Sequence, residues 1–95
     1  MNVIFVFSSV TAAKRVEKTI AKYGVLSKII HTPSGLGRSG CSHSVCFDEK
    51  HLEIVKKIIF ASEVDIQNAY KQVLHNGAYI YKEIGLWVYW YDLFW

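Results

Sequence analysis

Val3-Ile4-Phe5-Val6-Phe7 is apolar at every position and β-branched or aromatic throughout, which predicts a strand with two apolar faces. Ser8-Ser9 ends the run and supplies hydroxyls suited to capping a helix. That helix is expected to reach about Tyr23, with Ala12, Val16, Ile20 and Tyr23 as its buried stripe. Lys14, Arg15, Lys18 and Lys22 lie around its other side, most simply as a solvated face. Gly24 is the expected stop. Val25 to His31 predicts a second strand, apolar at Val25, Leu26, Ile29 and Ile30. After a Gly-rich stretch, Ser42 to Phe47 predicts a third. Asp48 is a plausible cap for a second helix from Glu49 to about Ala61, with Leu52, Val55, Ile58 and Ile59 inward. Val64 to Leu74 completes the set as a fourth strand.

The order is β-α-β-β-α-β, which predicts an α+β chain of the ferredoxin-like, split β-α-β kind. Asn76-Gly77 then signals a hairpin, followed by Ala78 to Glu83 and Leu86 to Trp95. This tail concentrates Tyr79, Tyr81, Trp87, Tyr89, Trp90, Tyr91, Phe94 and Trp95. A sheet with helices on one face should be largely polar on the other, yet Ile4 and Val6 are as apolar as their neighbours. The expectation is therefore a domain over residues 1–74 and an aromatic extension over 75–95. The extension would pack on the open face, or swap into a partner as a homodimer.

Composition narrows the classes. Ninety-five residues make one domain, and 52% hydrophobic residues allow a real core. A net charge of +3 allows an anionic partner but falls short of a dense nucleic-acid-binding patch. Two cysteines do not make a disulfide scaffold. Met1-Asn2 leads straight into the first strand with no basic n-region, and Ile84 to Tyr91 is too short to cross a membrane. The expected location is the cytoplasm, where thiols stay reduced.

Candidate chemistry gathers in Thr32-Pro33-Ser34-Gly35-Leu36-Gly37-Arg38-Ser39-Gly40-Cys41-Ser42-His43. Cys41 follows three glycines and an arginine, where backbone N–H groups and positive charge favour a thiolate. Gly35, Gly37, Gly40 and Ser42 would form the cradle, with Arg38 and His43 as cationic or basic neighbours. Gly35-Leu-Gly37-Arg-Ser-Gly40 matches a dinucleotide fingerprint by letter, but it precedes a strand rather than a helix N-terminus. A zinc site is disfavoured because strand alternation points Cys46 away from His43. A reversible Cys41–Cys46 disulfide stays open, although Cys46 is read first as a small packing residue. His31, His51 and His75 are read as surface residues. No metal or other cofactor is expected.

Several of these residues resemble one family. A strand ending in Ser8-Ser9, a helix carrying Ala13-Lys14-Arg15-Val16-Glu17-Lys18, a strand ending His31-Thr32-Pro33 and a loop reaching Gly40-Cys41-Ser42 are similar to the selenium/sulfur carrier-like small bacterial domains. The resemblance covers about residues 3–70, and Pro33 to Cys41 carries most of it. It implies that Cys41 holds sulfur or selenium as a persulfide or selenosulfide, received from a donor protein and passed to an acceptor. The chain would then be a carrier rather than an enzyme. Ser42 stands where those domains usually have glycine, and the aromatic tail lies outside the pattern. Two other readings compete. One is a structural or regulatory module dimerising through the tail. The other is a single-stranded nucleic-acid binder, opposed by Ser44-Val45-Cys46-Phe47, which lacks a basic-Gly-aromatic pattern.

Overall fold

The computed structural model describes residues 1–33, 35–36, 42–62 and 64–85. Its elements are β1 (Val3–Phe7), α1 (Val10–Ala21), β2 (Ser27–His31), β3 (His43–Phe47), a 3-10 turn (Glu49–His51), α2 (Leu52–Ser62), β4 (Asn68–His75) and β5 (Ala78–Glu83). The protein is α+β, as its patterning predicts. The sheet has five strands, in the order β2-β3-β1-β4-β5, and every neighbouring pair is antiparallel. The expected core of four strands is thus extended at one edge. β1 and β2 both run antiparallel to β3 between them, so they share a direction, and α1 makes the crossover. β3 and β4 flank β1 in the same way, with α2 between them.

Alternation splits the sheet into two faces. Val3, Phe5, Phe7, Val45, Phe47 and Ala69 face the helices and pack with Ala13, Val16, Ile20, Val55, Ile58 and Ile59. Phe5 meets Phe47 edge to face at 5.0 Å. Burying each Val, Ile or Phe side chain among them contributes about 1.5–3 kcal/mol. Ile4, Val6 and Cys46 are buried on the opposite face, with Ile30 and Tyr70 packed against them. Both faces of β1 are therefore covered, which explains a strand apolar at every position.

α1 begins where Ser9, in extended conformation, accepts from the Ala12 N–H at 3.1 Å. It stops two residues before Tyr23. Gly24 takes φ +80°, its N–H reaches Ala21 O, and the Val25 N–H reaches Ile20 O. This left-handed turn moves Val25 into the core and leaves Tyr23 61% exposed. Tyr23 is thus not part of the buried stripe, and Ala13 rather than Ala12 is its fully buried alanine. The second helix also starts differently from expectation. The Asp48 carboxylate accepts from the Lys50 N–H, only two residues on, and the His51 N–H donates to Asp48 O. Those tight bonds make the first turn 3-10.

β4 starts at Asn68, not Val64. Val64 and Ile66 pack against the helix-side core from the connection, and the Gln67 N–H closes onto Val6 O at 2.8 Å. Asn76 and Gly77 take φ 51° and 80° and join β4 to β5, as the hairpin signal predicts. Residues 78–83 consequently lie beside β4 in the sheet rather than across its open face. Leu86 to Trp95, the expected second arm of the tail, falls outside the described residues.

Candidate functional site

The loop between β2 and β3 is held at both ends. His31 and His43 are register partners, and beyond them the Thr32 N–H donates to Ser42 O at 3.1 Å. On the open face, the hydroxyl of Thr32, just past the end of β2, meets that of Ser44, one residue into β3, at 2.8 Å. Ser42 and Ser44 are both buried, so their polar groups are satisfied within the protein at the loop's base. Past Pro33 the chain turns. The Leu36 N–H donates to Pro33 O, and Gly35 takes φ +87°, a conformation only glycine adopts without strain. The Tyr70 hydroxyl, reaching from β4, donates to Leu36 O at 3.1 Å. The first part of the loop is thereby tied back over the open face, above the Ile4–Val6–Cys46 cluster.

Of the residues predicted for the site, Gly35, Ser42 and His43 belong to this frame. Gly37, Arg38, Gly40 and Cys41 lie outside the described residues. Chain connectivity attaches Cys41 directly to Ser42, the residue whose carbonyl closes the base of the loop.

Of the two cysteines, Cys46 is the one among the described residues. Cys46 sits mid-strand opposite Ile4, only 8% exposed. Burial pushes its thiol above the ordinary value, and the nearby N-terminus and Lys28 only partly offset this. A thiol held protonated among apolar side chains is a poor nucleophile. The residue is therefore free Cys46 in a packing role, as strand alternation suggests.

The sequence and this frame agree with one comparison in particular. Residues 2–71 match the family described as "Putative Se/S carrier protein-like". The chain belongs to that family. No curated protein matches it. The family match ends inside β4, so the carrier-like region comprises β1 to β4 with both helices, and β5 lies beyond it. Among the described residues no helix is long and apolar enough to cross a membrane.

Three residues of this region escape a reading by sequence pattern. His31 looks like a surface histidine, but strand register sets its ring 4.8 Å from that of His43. Thr32 looks like a loop residue, yet it bonds to Ser44. Tyr70, three strands away from β2 in the sheet, ties down Leu36. Only the register of β2 on β3 could have revealed the first two pairs. Nothing local signals the third.

Proposed function

We propose that this protein carries sulfur or selenium on Cys41. The observation that carries the reading is the burial of the chain's other cysteine. Cys46 is buried with its thiol pushed up, which leaves Cys41 as the thiol suited to exchange. Membership of the carrier-like family and the pinned base of the loop both favour it.

In this reading the Cys41 thiolate attacks the terminal sulfur of a donor protein's persulfide. A Cys41–S–SH forms, and the donor leaves as its thiolate. An acceptor thiolate then takes the outer sulfur and returns Cys41 to thiolate. Selenium follows the same exchange as a selenosulfide. Arg38, His43 and the loop N–H groups from Gly35 through Gly37 and Gly40 to Ser42 would hold the anionic cargo. No net oxidation is required, so the chain serves as carrier rather than enzyme. A reducing cytoplasm suits this chemistry, since it keeps the resting thiol free. We also read the two interleaved β-α-β crossovers as a ferredoxin-like arrangement, with β5 as an addition. Residues 1–74 would be the carrier domain and 75–95 an extension.

Intact-protein mass spectrometry after incubation with a persulfide donor tests this. A sulfur-sized gain should appear in the wild type and in Cys46→Ser, and vanish in Cys41→Ser. Equal loading of all three proteins, or of none, would sink the proposal.

A second reading rests on β5. Its residues are all exposed, and Leu74, Tyr79 and Tyr81 share one face of the β4–β5 hairpin. Such an edge suits pairing with a second copy. Sedimentation of the whole chain and of a form lacking residues 78–95 tests it. An association seen only in the whole chain would support a dimerising module.

A further inference from the structure

His31 and His43 are directly opposed across the β2–β3 ladder, with ring centroids 4.8 Å apart and planes inclined by 41°. Opposed residues in antiparallel strands project from the same face, so both imidazoles leave the sheet on the helix side, at its β2 end. Nδ1 of His43 is buried without a hydrogen-bond partner among the described residues, an arrangement that costs about 1–3 kcal/mol unless something satisfies it. His31 is exposed.

We propose that this pair is a binding site for a borderline divalent transition metal such as Zn2+. The spacing fits. A tetrahedral ion about 2.0–2.1 Å from one nitrogen of each ring sets the centroids roughly 5 Å apart. Imidazole is also a donor suited to zinc, copper and nickel. The rigid ladder fixes both ligands before the ion arrives, which lowers the entropic cost of closing the chelate. A metal–nitrogen bond from either side of the His43 ring fixes its tautomer, and coordination through Nδ1 would satisfy the orphaned atom. Among the described residues no group of three or more potential ligands comes together, so the remaining positions go to water or to a ligand brought by another molecule. This is the geometry of an exchangeable site, not of a closed structural one.

The site does not rest on sulfur carrying, and its test is kept apart from it. Zinc titration by calorimetry, in a full-length Cys41→Ser background, removes any contribution from that thiol. One ion should bind per chain. His31→Asn and His43→Asn should each weaken binding at least about tenfold, whereas His51→Asn and His75→Asn should bind like the parent. Zinc should also raise the melting temperature of the parent and of the two controls, but not that of the paired-site variants. His31 is exposed, so its variant tests the site even if His43→Asn fails to fold. Binding indifferent to His31→Asn overturns the proposal. So does binding present in the wild type and absent from the Cys41→Ser background, because the thiol would then be the ligand.

Discussion

Cys46 occupies a pocket formed by Ile4, Val6, Ile30 and Tyr70, and that pocket has no described polar partner to offer a hydroxyl. Cys46→Ser should therefore destabilise the protein by about 1–3 kcal/mol in urea, more than Cys46→Ala, while leaving sulfur loading untouched. The pH dependence has a definite sign. Burial raises the thiol above its ordinary value of 9.0, so the folded protein keeps the proton where the unfolded chain loses it. The stabilising contribution is complete below pH 9 and declines as the pH rises beyond it. The urea midpoint of the wild type should fall faster than that of Cys46→Ala between pH 9 and 10.5. Parallel curves for the two proteins would mean that the thiol ionises as freely folded as unfolded.

At the scale of elements, one polar knot joins three segments that are distant in sequence. The Glu49 carboxylate, at the start of the 3-10 turn, bonds Lys71 of β4 at 2.6 Å and accepts from the Asn2 side chain at 3.1 Å. The Asn2 side-chain oxygen accepts in return from the Glu49 N–H. Lys71 and then Asn2 hold the carboxyl below its ordinary value of 4.5. A depressed carboxylate stabilises the fold above that value and loses its contribution as the pH falls through the folded value. Glu49→Gln should thus be less stable than the wild type at pH 7, with the gap closing on acidification and narrowing in high salt. A gap unchanged at pH 3 would show that the knot acts through packing rather than charge. This knot was not legible in the sequence, because its partners meet only through the pairing of β1 with both β3 and β4. The elements were legible. Ser9 capped the helix that its position announced, Gly24 turned it off, and Asn76-Gly77 made the hairpin. Boundaries failed where tertiary packing overrode local pattern, as at Val64 and Ile66, whose apolar side chains serve the core from a connection. Tyr23 failed for a related reason: the glycine turn hands its place in the core to Val25. At the candidate site the glycines and the lone loop cysteine stood out from composition alone. The histidine pair and the Tyr70 tie needed strand register and sheet order.

Taken whole, the molecule is a sheet whose carrier-like portion ends within β4, while the sheet itself continues through β5. The two boundaries serve different ends. The loop that carries Cys41 is pinned by Thr32, Ser42, Ser44 and Tyr70, all within the family match, and none of these bonds involves β5. β5 instead pairs with β4 along its length, and just beyond it the Ile84 N–H reaches Ala69 O while the side chain packs on the helix-side core. Removing residues 78–95 exposes the outer edge of β4 and deletes Ile84, but leaves the loop's anchors in place. The truncated chain should unfold at lower urea than the full chain and still gain one sulfur atom at Cys41. Its sheet edge would be open to edge-to-edge association, so sedimentation belongs beside the mass measurement. If the truncated protein folds, stays monomeric and fails to load, then β5 or the aromatic residues after it take part in the chemistry. Loading at undiminished extent would instead confine the exchange to residues 1–77, with β5 acting on stability alone.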